Sequence, residues 1–486
     1  MRYFVSLPDG NEQAFPRSSQ TFTATRAGIP FALRTVAESA GAAYTGRAMS
    51  DRPVVFVIPP QQRRSRKGYL PSLGIGYVAT AVARVAPVRL LDAHLYGWGV
   101  GDTVERVLSL DPLAVGLTST TNDRFRAIAV AEGVKQGAGV PVFVGGPHFS
   151  LTAADALQHV PAIDYVIVGE GEETAPGLAE AIRTGKPRAG LPGVAYRDES
   201  GSAVVPDGCF PGSVDACDLD WGHFDLGAYN ARLEGLGRGR AVGVISSRGC
   251  PNSCAFCINN AFRGRALRLR DPRLVVDEIE HLRRGYGFRH FDVWDDTFTL
   301  SGGHVTAVCE ELLRRRLRIR WYARARVNTV DRGMLRLMSR AGCRAIGYGV
   351  ESGSERVLRQ IGKNITLAQV RGAVRETVRC GMGVKAFFMF SHPTETEDDV
   401  RTTLDLMEEM RAIKGVRTER AFSLIYPGTE LEALARESGQ LEAFSWNTYS
   451  EDEVAAELGG NPTVPIFRTD TCPLERIRKM VAERER

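Results

Sequence analysis

Three thiols stand close together in the stretch Ser246-Ser247-Arg248-Gly249-Cys250-Pro251-Asn252-Ser253-Cys254-Ala255-Phe256-Cys257. The C-x3-C-x2-C spacing lets sulfurs from one loop serve one small inorganic object. Thiolates are soft ligands and select zinc, copper(I) or iron–sulfur clusters. A structural zinc site would want a fourth Cys or His nearby. The next Cys is Cys309 and the next His is His281, both far along the chain. Three ligands without a close fourth suit a [4Fe–4S] cluster with one iron left open for a substrate or cofactor. Free Cys is often simply buried, but the Arg-Gly before the first thiol and the Pro after it make a chance cluster a poor account.

The stretch resembles the cluster loop of the radical S-adenosylmethionine (SAM) enzymes, in the branch written R-G-C-P-x-x-C-x-(aromatic)-C. The resemblance implies that Cys250, Cys254 and Cys257 hold three irons, and that SAM chelates the fourth through its amino and carboxylate groups. It also implies the SAM contacts. Phe256 would pack on adenine. Asp295 and Asp296, in Trp294-Asp-Asp-Thr-Phe298, would accept hydrogen bonds from the ammonium group; the plainer role for such a pair is helix capping. Arg326 would pair with the SAM carboxylate. Glu351 and Ser352, in Gly349-Val-Glu-Ser, would contact the ribose and the SAM head. Ser391-His392-Pro393-Thr394-Glu395-Thr396 departs from the family's G-L-P-G-E-T at Ser391, His392 and Thr394. His392 either faces substrate or is structural.

These residues need a scaffold that brings strand ends together. Short apolar runs at Ala241–Ile245, His290–Trp294, Ile319–Ala323, Ala345–Tyr348, Val384–Met389 and Arg420–Ile425 read as buried parallel strands. Helical patterns such as Arg273–Arg284, Val305–Arg315 and Asp398–Met410 fit between them. Six such units predict a partial (β/α)6 barrel over 241–440, with chemistry at the carboxyl ends of its strands.

A second set of runs lies upstream, at Val54–Ile58, Val88–Leu91, Ala114–Leu117, Val142–Val144 and Tyr165–Val168. Alternating with helical patterns, they predict a doubly wound, Rossmann-like α/β domain over 53–186. Ligands of such sheets bind outside the carboxyl ends of the strands. The ends here are rich in small residues and hydroxyls. They resemble the cobalamin-binding domain fused to many radical SAM enzymes. The implied cobalamin contacts are Leu73, Thr118, Ser119, Thr121, Gly145, Gly146, Gly169, Glu170 and Gly171.

Asp92-Ala-His94-Leu-Tyr-Gly97 spells D-x-H-x-x-G, whose His binds cobalt in other cobalamin proteins. Here it follows the second strand instead of the first, which argues that it lies over the wrong part of the sheet. The first-strand loop, Pro59 to Leu73, contains no His. Cobalamin is therefore expected base-off, without a His ligand, with Tyr69, Leu70 or Leu73 beneath the corrin.

The remaining segments are an N-terminal extension (1–52), a connector with a hairpin signal at Asp198-Glu-Ser-Gly201 (187–240) and a C-terminal cap or tail (441–486) ending in a charged helix, Leu474–Arg484. The net charge of +5 over 486 residues is small and spread, which does not point to nucleic acid. The nine Cys all lie after residue 208 without paired spacing, as suits a reducing cytosol. Neither a signal peptide nor an apolar run of the ~18 residues a membrane span needs is visible. A cytoplasmic monomer with a flavodoxin- or ferredoxin-type electron donor is expected.

The resemblance implies a cobalamin-dependent radical SAM methyltransferase. A 5′-deoxyadenosyl radical would abstract hydrogen from an unactivated carbon of a small-molecule or peptide-derived, secondary-metabolite substrate. Methylcobalamin would then deliver the methyl group. The alternatives are the same cofactors used for oxidative rearrangement, ring contraction or cyclisation, and a cobalamin and iron–sulfur sensor. A methylthiotransferase acting on RNA would need a second Cys trio upstream, and residues 1–208 contain no Cys.

Overall fold

The computed structural model describes residues 51–61, 68–186, 190–216, 218–442, 444–448 and 463–484. The apolar run Tyr3 to Leu7 and the candidate helix Ile29–Ala40 lie outside them.

The upstream runs form one sheet. Strands β1 (Val54–Ile58), β2 (Val88–Asp92), β3 (Ala114–Thr118), β4 (Val142–Gly145) and β5 (Tyr165–Ile167) are parallel, in the order β2-β1-β3-β4-β5. All five residues of β1 are buried, as a strand covered on both faces requires. Val55 and Val57 pack with Ala127, Val130 and Val134 of the helix Arg124–Ala138. Val54, Phe56 and Ile58 face the other way, into a buried cluster that runs on into the second domain.

The segment expected as a connector is part of the packing. β6 (Val194–Arg197) and β7 (Ala203–Val204) form the anticipated hairpin, but it pairs antiparallel with β5 and extends the first sheet past residue 186. Trp221, Phe224 and Tyr229 then fill the seam between the domains. A Cβ on Gly76 would sit 2.7 Å from the Phe224 ring, so the helix Leu73–Val82 meets this segment backbone-first.

In the second domain, β8 (Ala241–Val244), β11 (His290–Val293), β12 (Arg320–Ala325), β13 (Cys343–Glu351), β14 (Gly383–Phe390) and β15 (Val416–Phe422) are all parallel and neighbour one another in chain order. A short ribbon, β9 (Ser247–Arg248) with β10 (Arg268–Leu269), rises from the end of β8. The intervening helices are capped as their sequences dictate: Thr366 and Thr396 each close a capping box, with Gln369 and Asp399. The last strand differs from expectation. It starts at Val416, not Arg420, and ends at Phe422. Among the described residues β15 pairs only with β14, at the edge of the sheet. Its Arg417 and Glu419 pair with Glu234 and Lys385, and a search for unbroken apolar runs passes over such residues.

The C-terminal segment bridges both domains. Phe444, Trp446 and Phe467 pack with Ile425 and Leu431 beyond β15. The buried Arg124 of the first domain donates to the carbonyls of Trp446 and Thr463.

Candidate active site

The cluster loop is held by the two carboxylates that follow β11. Asp295 is 1% exposed. It accepts from the Ser246 amide at 2.7 Å and from the Ser246 and Ser247 hydroxyls at 2.6 Å each. His304 Nε2 completes the knot at 3.1 Å from Ser246 Oγ. Burial raises the Asp295 carboxyl above its ordinary range, against the pull of these hydrogen bonds. Asp296 accepts from the Gly249 amide at 2.9 Å and from Asn259 Nδ2 at 2.7 Å. Both carboxylates are expected to receive the SAM ammonium. Asp295 is a correction to that: it is fully buried with both oxygens taken by the chain, and it braces the loop. Asp296 is also bonded through both oxygens, but it is only half-buried and sits on the Gly249 amide directly before Cys250.

Cys250, Cys254 and Cys257 are all half-buried on this loop. Among the described residues, no three His, Cys, Asp or Glu side chains converge as ligands of one metal ion. A cluster asks something different, because each thiolate takes its own iron. Donors surround the sulfurs: Asn252 Nδ2 lies 3.2 Å from Cys250 Sγ, and Arg326 Nη1 lies 3.6 Å from Cys254 Sγ. Burial, with the Cys254 thiol beside it, pushes the metal-free Cys257 up to about 12. Iron binding would therefore have to release a proton there.

Around the loop, the ends of β12 to β14 converge. Glu351 adopts φ +70, and its Oε1 accepts from Lys363 Nζ at 2.8 Å. Its buried Oε2 has no partner among the described residues, an acceptor open to a ligand. Arg326 donates to the Lys363 carbonyl. Lys363 was not singled out from sequence, since a Lys between turn residues carries no motif. Ser352 is fully buried against Thr403 Oγ1 at 3.1 Å and accepts from the Ser354 amide. It shapes the turn more than it offers a ligand contact. Phe256 packs in the cluster of Ile425 and Phe467, its ring centroid 6.5 Å from that of His392. His392 is buried and bonded to Ser423 through Nδ1 at 3.1 Å. Ser391 and Thr394 hold φ +67 and +56 where the family motif has glycine. The turn keeps a glycine-like path without glycine.

A cavity of about 570 Å³ opens between the domains. Leu73, Thr118, Ser119, Gly145, Gly146, Gly169, Glu170 and Gly171 all line it from the first sheet. Ile245, Phe262, Arg263 and Trp294 line it from the barrel mouth. Thr121 does not: its hydroxyl lies buried, 3.3 Å from His148 Nδ1, which corrects that expected contact. Glu170 lies on the wall, but its carboxylate is committed to Arg248 and Arg268. Gly116, unremarked in the sequence, also lines the cavity, and a Cβ there would lie 2.6 Å from the Phe143 ring. A glycine inside a strand was the available signal.

His94 is another correction. The strand order puts β2 beside β1, so a His one unit late in the chain still reaches the cavity wall. Burial lowers its imidazole to about 4. The Tyr69 ring stands edge-on against it, with centroids 4.2 Å apart.

These residues fit the groups that the sequence resemblance implies. Three soft thiols with nearby donors suit a cluster. The unpaired Glu351 oxygen beside them suits a polar cofactor. A deep cavity floored by Gly116 and Gly145 suits a large flat ligand with a buried tail. The Trp294 Nε1 on its wall has no acceptor among the described residues.

Comparison with known proteins agrees. Residues 244–407 match the radical SAM superfamily, and residues 63–179 match the B12 binding domain. An uncharacterised methyltransferase of Pyrococcus horikoshii is 29% identical over 83% of this chain and 88% of its own. The anaerobic magnesium-protoporphyrin IX monomethyl ester cyclase of Rubrivivax gelatinosus is 28% identical over 63% of this chain, which spans only 56% of that relative. The fold matches that of the radical SAM methyltransferase TsrM of Kitasatospora setae, solved with cobalamin and a [4Fe–4S] cluster. The TM-score is 0.67 at 20% identity, over 80% of this chain and 78% of that one. Among the described residues no helix is long and apolar enough to cross a membrane. The chain belongs to the cobalamin-dependent radical SAM enzymes, with a B12-binding domain ahead of its radical SAM domain.

Proposed function

We propose that this chain is a C-methyltransferase that methylates an unactivated carbon of a small-molecule or peptide-derived substrate. The supporting observation is the shared cavity: the first sheet's strand ends and the barrel mouth wall one space, with the Cys loop beside it. Bound together, the cluster and SAM supply a hydrogen-abstracting 5′-deoxyadenosyl radical, and methylcobalamin supplies the methyl group.

The chain does the positioning. Cys250, Cys254 and Cys257 would hold the cluster, and Arg326 sets its guanidinium beside the Cys254 sulfur. Glu351 offers its unpaired Oε2 as an acceptor, while Lys363 fixes the other oxygen. Asp296 holds the Gly249 amide and so the loop's entry. Phe262, Ile245 and Trp294 give the barrel side of the cavity an apolar wall that excludes water from a reactive radical. On the opposite side, the Tyr69 ring packs edge-on against the His94 imidazole on the cavity wall. That arrangement supports a cobalamin held base-off, without a His ligand. A one-electron donor of flavodoxin or ferredoxin type completes the scheme.

A second reading, oxidative ring formation without methyl transfer, is favoured by the likeness to the anaerobic cyclase. Anaerobic reconstitution with iron, sulfide, hydroxocobalamin and SAM separates the two. Methyl transfer requires both 5′-deoxyadenosine and S-adenosylhomocysteine, and a product heavier by one methylene unit. 5′-Deoxyadenosine with neither of the others would sink the methyltransferase reading.

A further inference from the structure

We propose that Arg248 and Arg268 clamp the cluster loop to the cobalamin-side sheet, so that cobalamin and SAM bind with linked affinities. This inference rests on the two-cofactor reading above.

Arg248 precedes Cys250 by one glycine. Its side chain is 5% exposed and spans two carboxylates of the other domain. Nη1 donates to Glu170 at 2.9 Å, and Nη2 reaches Glu172 at 2.8 Å. Arg268 lies directly across the β9–β10 ribbon from Arg248. Its Nη2 and Nη1 donate to the two oxygens of Glu170, at 2.7 and 2.9 Å. One short ribbon, continuous with the cluster loop, thus presents two guanidiniums to a single buried carboxylate. That carboxylate belongs to the Gly169-Glu170-Gly171 turn, which lines the cavity. The Arg248 guanidinium also lies 4.9 Å from the ring centroid of Tyr77, again from the first domain.

Charges this deeply buried are tolerable only while their partners stay in place. If the turn at Gly169 moves, Arg248 and Arg268 lose their anions and Glu170 loses its cations. The ribbon must follow the turn. The step from Arg248 to Cys250 has little slack. Gly249 has φ +88, its amide is held by Asp296, and a Cβ there would lie 2.1 Å from the Ala266 carbonyl oxygen. A shift of Arg248 is therefore passed to Cys250. A ligand that orders the cavity turn orders the cluster loop, and linkage makes the effect reciprocal. Arg248, Arg268, Glu170 and Glu172 are positioning residues in this scheme; none need touch SAM.

The test uses full-length protein reconstituted anaerobically with iron and sulfide. SAM affinity is read from the EPR signal of the reduced cluster, with and without hydroxocobalamin. In the unaltered protein, hydroxocobalamin should tighten SAM binding about 5- to 20-fold, and SAM should tighten hydroxocobalamin binding by the same factor. In Arg248→Lys the factor should fall to about 1–2, and in Glu172→Gln, which removes one of the two anions of Arg248, to roughly half of the parent value, with iron content retained in both. Lys offers one point charge where Arg spans two carboxylates. Glu409→Gln, which breaks a remote surface pair with Arg371, should keep the full factor. If Arg248→Lys does not fold, Glu172→Gln still decides, because it leaves Glu170 with both arginines. A factor of one in the unaltered protein, or a full factor in Glu172→Gln, overturns the clamp alone. Loss of iron or corrin from the unaltered protein would overturn the two-cofactor reading, and the clamp with it.

Discussion

Gly362 abuts the cluster loop at Ser253: a Cβ on Gly362 would lie 2.3 Å from the Ser253 carbonyl oxygen. The Ala255 amide then donates to the neighbouring Ile361 carbonyl at 3.0 Å. The turn after the helix Glu355–Gln360 is thus a template for the loop that carries Cys254. Gly362 also holds φ +68, a region costly for other residues. Gly362→Ala should displace the loop and lower iron and sulfide content at least several-fold after reconstitution, while corrin binding by the first domain persists. Elemental analysis beside the corrin absorbance checks this. An unchanged iron content would show that the loop does not depend on this contact.

Asp295 makes three short hydrogen bonds to Ser246 and Ser247. Asp295→Ala leaves a buried amide and two hydroxyls without their acceptor. The expected cost is about 3 kcal/mol, from unsatisfied buried groups. It should appear as a lower thermal midpoint in the cluster-free protein and as reduced iron incorporation. Asp295→Asn keeps one acceptor and should fall between the two. A variant as stable as the parent would remove the bracing role.

Glu395 carries a pH signature. Burial raises its carboxyl to about 8, against hydrogen bonds from the Ser391 and His392 amides. The folded state therefore keeps a proton that the unfolded chain has lost. Stability from this group is full below the ordinary carboxyl range, near 4.5, and declines as pH rises toward about 8. The decline should approach about 1.4 kcal/mol per pH unit within that window. Melting curves between pH 5 and 8 should show the parent losing stability relative to Glu395→Gln. Parallel curves would refute the assignment.

The lower face of cobalamin offers a spectroscopic prediction. With Tyr69 against His94, cob(II)alamin bound to this chain should show an EPR spectrum without nitrogen splitting. His94→Ala should leave that spectrum unaltered. Nitrogen splitting in the parent that vanishes in the variant would make His94 the ligand.

Much of the site is local in sequence and so could be read there. The thiol trio, the Asp pair and the Gly-Val-Glu-Ser turn are each a few adjacent residues, so a resemblance to a family's motifs shows there without the fold. Strand positions were legible for the same reason, since a strand buried on both faces is apolar throughout. β15 escaped because one of its sides meets solvent and charged residues there interrupt the run.

Covalent spacing and apolar periodicity survive without three-dimensional context, so the candidate thiols and the order of the two domains could be read from residue order. Which polar groups stay open to a ligand depends on contacts that exist only after folding. Asp295, Thr121 and Glu170 looked available but are consumed by partners at a distance: Ser246, His148 and a pair of arginines. Glu351 keeps one oxygen without a partner among the described residues. Likewise His94 was misplaced on paper, because strand order is set by packing and not by chain order. A hydrogen bond between residues dozens of positions apart leaves no mark in either neighbourhood, so burial and partnership emerge only when the chain is folded.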